Sequence, residues 1–375
     1  VGLVEEMKPQ QDVCIAGGGP AGLAAALALC RRGLAVTVVD CATPPIDKAC
    51  GEGLMPDSLA ALQRLGVELD VRAGHPFRGI RFTDGASTVT GDFPNGPGLG
   101  MRRTYLHDAL VKHAEAAHVR LIWGAKNLRL CDEGLSIQGE VLRARLIVGA
   151  DGQKSLIRHS AGLDRVKSER RRYGFRTHYR VAPWSHYVEL YWGPRGQVYV
   201  TPVASDEVCV AFVSRHSKLR LEEALNDVPL LRERLAGVEH GSSEMGAMSI
   251  SRRLKRVHKN GLALLGDASG SVDAVTGAGM SLAFKQADAL AAALEAGDLR
   301  QYAARHKEIG AEPRLLASLM LSMEWHGELQ RRVLAGLAKR PQLFESLLRF
   351  HVGDTPRAGM LARQLVGFGW GFLTA

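Results

Sequence analysis

A mixed α/β fold is predicted, with a parallel sheet assembled from discontinuous segments, an inserted antiparallel β-sheet and C-terminal helices. Three observations predict it. A β-rich run, a glycine turn and an alanine-rich helical segment fill residues 11–30, and a second β-rich run at 35–39 completes a β-α-β unit. Two later strand-like runs, 144–148 and 262–265, end in acidic glycine turns. Between them lies a strand-rich block, 173–215, with turn residues at short intervals. One sheet gathered from separated pieces, with a second laid over it, accounts for all three.

The first unit carries Gly17-x-Gly19-Pro20-Ala21-Gly22, and its second strand ends in Asp40. Gly17 allows a tight turn, Gly19 lets the backbone approach a pyrophosphate, and Gly22 lets helix and strand pack closely. The pyrophosphate then sits on the positive end of the helix, and Asp40 lies where a carboxylate takes the ribose hydroxyls of an adenosine. Strand, turn, helix, second strand and acid in this order form a Rossmann-type dinucleotide fingerprint. The helix closes at Arg31-Arg32-Gly33, cations followed by glycine.

A loop with Pro44 and Pro45 leads into Lys48-Ala49-Cys50-Gly51-Glu52-Gly53 and a helix over 57–65. Residues 76–100 alternate among Gly, Asp and Pro and read as strands or a hairpin. A helix over 103–117 places Leu106, Leu110 and Val111 on one face. A strand at 121–123 and a small meander at 128–142 precede the run 144–148, which delivers Gly149-Ala150-Asp151-Gly152. The later block reads as strands 173–181, 187–192, 197–203 and 208–213, then a helical pair over 219–236. The run 262–265 delivers Gly266-Asp267, a long helix follows over 279–293, and helices broken at Pro313, Pro341 and Gly353 complete the chain. The expected partition is a dinucleotide domain of 7–75, 100–165 and 255–300, a sheet domain of 76–99 and 166–254, and a helical region of 301–375.

The formal net charge is +9, concentrated in Arg165, Lys167, Arg170, Arg171, Arg172, Arg176 and Arg180, and in Arg252, Arg253, Lys255, Arg256 and Lys259. Neither cluster is interleaved with aromatic residues, so no nucleic-acid partner is expected. A solvated face is the reading for both, with an anionic substrate, a carrier protein or an NADPH phosphate as the alternative. Cys14, Cys30, Cys41, Cys50, Cys131 and Cys209 form no CxxC pair, which suits a reduced cytoplasmic protein. No HxH or HExxH pair is present, so no metal site is expected. No apolar run is long enough to span a bilayer, and Glu5 and Glu6 argue against a signal peptide, with Met7 a candidate start.

Three spaced motifs resemble those of FAD-dependent monooxygenases of the para-hydroxybenzoate hydroxylase type and the related geranylgeranyl reductases. They are the fingerprint above, Gly149-Ala150-Asp151-Gly152-x-x-Ser155-x-x-Arg158, and Gly266-Asp267-Ala268 followed by Gly277-Ala278-Gly279. Arg103-x-x-Leu106 is similar to the family's arginine at a helix start near the flavin. The resemblance implies FAD as cofactor. Asp267 would accept from the ribityl hydroxyls, and Gly277, Gly279 and Met280 would pass close to the isoalloxazine ring. The helix they open would point its N-terminus at the ring edge that carries negative charge on reduction.

The loop 48–53 resembles the "CGG" loop of geranylgeranyl reductases, which makes Cys50 a site candidate beside Gly51. A glycine loop with an incidental thiol is the alternative. Glu52 reads as a solvated loop acid first and a general acid/base second. Pro194-x-x-Gln197-x-Tyr199-x-Thr201-Pro202 keeps the proline spacing of the prenyl reductase motif PxxYxWxFP but loses two aromatic walls, which argues against a long isoprenoid tunnel. Ala274, Gly270 and Ser281 depart from proline, histidine and asparagine. The halogenase motif WxWxIP is absent, since Trp184 and Trp192 are not so spaced.

The resemblance implies an FAD-dependent monooxygenase reduced by NAD(P)H or a partner reductase and acting on a small molecule, hydrophobic or carrier-bound. An alkene reductase, a halogenase-like enzyme and an accessory flavoprotein are the alternatives. Tyr173, His178, Tyr191, Gln197 and Tyr199 are polar-tipped residues of the sheet that should wall the pocket, and Cys50, Glu52 and Tyr199 are the catalytic candidates. Leu315, Leu316, Leu319, Met320, Met323 and Trp325 read as core packing, with a lid or a membrane-surface contact as the alternative. The apolar end, 368–373, is expected to dock on the fold.

Overall fold

The computed structural model describes residues 11–353. The candidate start at Met7 and the apolar end at 368–373 lie outside the described residues.

Gln11–Ala16 is the central strand of the first sheet, because four consecutive apolar residues let it be covered on both faces. It pairs in parallel with Val36–Val39 on one side and Glu140–Gly149 on the other. Leu262–Leu264 extends the parallel set beyond Glu140–Gly149, and Arg120–Ile122 extends it beyond Val36–Val39. The strand expected at 144–148 is ten residues long. Its second half joins the parallel sheet, while its first half pairs antiparallel with Gly134–Ile137 as the last arm of the meander.

Helix Pro20–Cys30 packs on this sheet and against helix Gly279–Glu295 and helix Arg103–Ala116. Pro20 occupies its first turn, where a missing N–H costs nothing. Ala24, Ala25, Ala26 and Ala28 are fully buried. Small side chains on every side are what a helix needs when sheet and helices enclose it together.

The second sheet runs Gly270–Ser271, Met245–Leu254, Val166–Tyr179, Glu207–Ser214, Gly196–Ala204, Tyr187–Gly193, Gly79–Thr83, Thr88–Asp92. It is antiparallel except where Tyr187–Gly193 meets Gly79–Thr83 in parallel. A small third sheet joins Gly53–Leu54, Gly98–Gly100 and His75–Phe77. Helices Leu221–Leu225 and Pro229–Leu235 cover one face of the second sheet. The C-terminal helices Ala311–Trp325, Gly327–Lys339 and Pro341–His351 pack on the sheet near Thr88–Asp92. Phe82 meets Phe344 edge-on at 5.0 Å and Trp192 at 6.0 Å, anchoring them. Each fully buried ring contributes about 1.5–3 kcal/mol.

Three expectations change. Met245–Leu254, a ten-residue strand, was not anticipated, because its half-buried alternation is broken by Arg252 and Arg253. Pro313 breaks nothing, since it sits in the first turn of Ala311–Trp325, and the chain bends at Gly310 and His326 instead. The basic run 165–180 is not one solvated face. Arg170 and Arg171 are exposed, while Arg172 and Arg176, on the same strand face as Arg170, are 2% and 1% exposed because the fold covers that face from Arg172 onward. Among the described residues no helix is long and apolar enough to cross a membrane.

Candidate cofactor and substrate site

The carboxyl ends of the parallel strands converge on one continuous cavity of about 1000 Å³ that runs on beneath the second sheet. Gly17, Gly19, Pro20, Ala21 and Asp40 line it from the first turn, and Asp151 and Gly152 from the second. Asp267, Gly277, Gly279 and Met280 line it from the third, and Cys50, Gly51, Glu52, Arg103 and Tyr199 complete the wall. Gly22 does not reach the cavity. A Cβ there would be driven into the carbonyl of Gly17, so its role is packing between helix and strand.

The residues fit a dinucleotide on grounds of geometry. Gly17 has φ +112°, and a Cβ there would collide with the carbonyl of Ala150, so only glycine closes this turn. Gly19, Gly277 and Gly279 face open space where a side chain would otherwise intrude. Helices Pro20–Cys30 and Gly279–Glu295 both begin at the cavity without a side-chain cap, leaving backbone N–H groups for an acceptor. Asp40 is held in place by two amides, with Oδ2 accepting from Gly18 N–H at 2.6 Å and Oδ1 from Ala42 N–H at 2.8 Å. Asp151 caps helix Leu156–Ser160 by accepting from Ile157 N–H at 3.1 Å, while its Oδ1 is buried with no protein partner. Arg103 Nε is likewise buried without a partner on the cavity wall. Two unsatisfied polar atoms on one wall are what a bound polar ligand would complete.

Two supporting residues escaped the sequence reading. His107 ties the first turn to the loop, with Nδ1 accepting from Ile46 N–H at 3.3 Å and Nε2 donating to Gly18 O at 2.8 Å. These partners fix a neutral tautomer, and burial lowers its pKa accordingly. Lys48 reaches across the cavity to Asp267 Oδ2 at 3.2 Å. Only its place in the loop beside Cys50 marked it in the sequence.

Glu52 is not a solvated loop acid. It has φ +59° and is 2% exposed, because the turn folds its side chain under the sheet. There Oε2 pairs with His178 Nε2 at 2.6 Å, and Oε1 accepts from Arg103 N–H at 3.0 Å. Arg176 closes the cluster, donating to Asp47 Oδ1 at 2.7 Å and approaching His178 Nδ1 at 3.2 Å. Cys209 lies against it, its thiol pushed far up by burial and by the Glu52 charge. The ligand atoms of Glu52, His178 and Cys209 lie within 4.8 Å of one another. Arg176 stands 3.9 Å from Glu52 Oε1, and Arg102 Nη2 3.2 Å from His178 Nδ1, so two guanidiniums crowd the place a cation would take. The cluster suits a proton or a hydrogen-bond relay better than a metal.

Cys50 is half-buried, and its sulfur accepts from Glu52 N–H at 3.4 Å. Tyr199 is half-buried, desolvation raises its pKa, and its hydroxyl donates to Val275 O at 3.1 Å. It therefore fastens the turn Ala274–Thr276 to the sheet. A buried ion cluster reinforces that link. Arg172 donates to Asp273 Oδ1 at 2.9 Å, Gln197 Oε1 at 2.6 Å and Val213 O at 3.1 Å, and forms an ion pair with Glu324 Oε2 at 2.8 Å. The far end of the cavity is apolar, walled by Phe82, Leu190, Leu316, Met320, Met323 and Phe344. Leu316 and both methionines thus line the cavity and are not sealed within a separate core.

Known proteins share parts of this sequence and its fold. The chain is 34% identical over 163 residues to menaquinone reductase of Mycobacterium tuberculosis, a match covering 40% of each. It is 36% identical over 178 residues to 6-methylpretetramide 4-monooxygenase of Streptomyces rimosus, covering 42% of each. These matches span about two-fifths of the length of those relatives. A flavoprotein/dehydrogenase structure from Cytophaga hutchinsonii superposes with a TM-score of 0.76 at 20% identity, over 92% of this chain and 94% of that one, which shows a shared fold. The family described as FAD binding domain matches residues 10–301, from the first strand of the parallel sheet through the helix whose N-terminus opens on the cavity. Three turns from distant parts of the chain meeting at one cavity are thus the signature of kinship: the chain belongs to the FAD binding domain family.

Proposed function

We propose that this protein is an FAD-dependent monooxygenase acting on an apolar small molecule. The observation that carries the reading is the continuity of the cavity, whose polar end has the shape and donors for a dinucleotide and whose far end is walled by apolar side chains. The monooxygenase among the relatives supports it.

Bound FAD supplies two-electron redox chemistry and, once reduced, the activation of dioxygen. Asp40 would hold the adenosine ribose, the N-terminus of Pro20–Cys30 the pyrophosphate, and Asp151 Oδ1 and Asp267 hydroxyls along the chain between the two ring systems. The N-terminus of Gly279–Glu295 would face the ring edge that gains negative charge. Leu316, Met320, Met323 and Phe344 exclude water from the reacting end. Glu52 and His178 hold one proton between Oε2 and Nε2 at the wall beneath Cys50. Electrons would come from NAD(P)H or a partner reductase. Six cysteines, all free, suit a reducing compartment such as the cytoplasm.

Placement of Cys50 on the cavity wall favours a second reading, reduction of an alkene or quinone, as the reductase among the relatives suggests. Labelled dioxygen separates them. Incubation of the FAD-loaded protein with NADPH and a panel of polycyclic phenols and prenylated quinones should give a product carrying oxygen-18. A product gaining two hydrogens and no label would replace the monooxygenase reading with the reductase one.

A further inference from the structure

The apolar end of the cavity opens between helices Ala311–Trp325 and Gly327–Lys339. Leu319 and Leu329 line the cavity and are also 39% and 40% exposed, so they stand in its mouth. Leu315, one turn before Leu319, is 45% exposed, and Trp325 at the end of the helix is 46% exposed. Ten large apolar side chains are exposed among the described residues, and four of them fall within residues 315–329. That concentration marks a contact surface rather than ordinary scatter.

The flanks of this patch are basic. At the C-terminal end of the helix, Arg170 stacks over the Trp325 ring at 5.0 Å, and Arg215 lies 5.9 Å from it. Beyond the N-terminal end, Arg253 comes from the strand opposite Ser168, two residues from Arg170 on the same face of the sheet. Arg253 lies close enough to Arg314 that its charge, with burial, lowers the Arg314 pKa. Arg253 has no ion pair among the described residues. Two cations that repel each other at an apolar rim are unfavourable unless an anion joins them. Of the acids on these helices, Glu324 pairs with Arg172 and Arg215 and Glu328 with Arg331, while Glu312 in the first turn feels the charge of Lys285.

We propose that helix Ala311–Trp325 and the start of the next helix dock on an anionic lipid bilayer, so that an apolar substrate passes from the membrane directly into the cavity. Passage of a substrate rests on the proposed function, whereas docking itself does not. Leucines on a convex helix surface, a tryptophan wedged between guanidiniums and an arginine rim match the layering of an interface, apolar tails beneath anionic headgroups. An acidic protein would satisfy the arginines and leave the protruding leucines without a matching hollow.

Sedimentation of the FAD-loaded protein with phosphatidylglycerol-rich vesicles tests this without any substrate. The protein should pellet with them, stay in solution with pure phosphatidylcholine vesicles, and be released by high salt. Leu315→Glu should weaken partitioning about tenfold and Arg253→Ser about fivefold, with flavin absorbance checking the fold. No pelleting with anionic vesicles, or pelleting that both substitutions leave unchanged, would overturn the proposal. Retention on polyglutamate resin without vesicle binding would assign the face to an acidic protein and overturn it equally. Neither negative result bears on the oxygen-18 experiment, so the two readings fail separately.

Discussion

Replacing Arg172 by methionine keeps most of the side-chain length and removes the charge. Arg172, Asp273 and Glu324 have side chains 3%, 2% and 4% exposed, so water cannot take over the lost pairing. Two buried carboxylates would remain with only Arg215, half exposed and 3.3 Å from Glu324 Oε1, to offset them. Removing one partner of such a cluster costs about 3–5 kcal/mol. That is a large share of the roughly 5–15 kcal/mol that holds a domain folded. Urea unfolding at neutral pH should show the whole loss. Strained carboxylates take up protons more readily in the folded variant than in its unfolded chain. The variant's deficit should therefore shrink as pH falls through the ordinary carboxylate range. Asp273 also caps the turn at Ala274–Thr276 through Val275 N–H at 3.0 Å, so flavin retention should fall in parallel. A loss under about 1 kcal/mol, or one that does not change with pH, would refute the assignment of a buried charge cluster.

Other perturbations reach different parts of the site. Gly17→Val forces a branched side chain into a left-handed turn against Ala150, so purified protein should carry little FAD, and a full flavin spectrum would count against the dinucleotide assignment. His306, whose Nε2 lies 2.8 Å from Ser269 Oγ, has its pKa lowered from 6.5 to about 4 by burial. A neutral buried histidine stabilises fully above the unfolded value, and that contribution is lost as pH falls toward the folded one. Wild type should therefore lose about 3 kcal/mol more than His306→Gln between those two pH values, and matching pH profiles in urea melts would remove the effect. Cys50→Ser keeps an acceptor for Glu52 N–H and should leave oxygen-18 incorporation largely intact. Loss of all turnover would place the thiol in the chemistry and favour the reductase reading.

The parallel sheet and its three turns were legible because each turn depends on local signals: glycines at fixed spacing, an apolar run before them and a helix after. Gly17, Asp40, Asp151 and Asp267 could be picked from the sequence for that reason, and the cavity collects all four. What was illegible came from pairings across long separations. Glu52 and His178 are 126 residues apart, and nothing near Glu52 announces that its turn will bury it. Arg172 looked like one more cation in a basic run, since nothing local marks where along the strand its face is covered by partners such as Glu324, far away in the chain. Met245–Leu254 was hidden by the same charges, because an edge-facing basic side chain in a two-sheet fold interrupts the apolar rhythm that marks a strand.

The alanine methyls of Pro20–Cys30 set how closely that helix can lie to Gly279–Glu295. Both helices begin at the same cavity, so this spacing works as a ruler for the ligand. A flavin ring at the second helix end and a phosphate at the first would have to match this spacing, and only a molecule with an adenosine half would go on to reach Asp40. Enlarging the methyl of one of the fully buried alanines to leucine would lengthen the ruler and weaken flavin retention without touching any residue on the cavity wall.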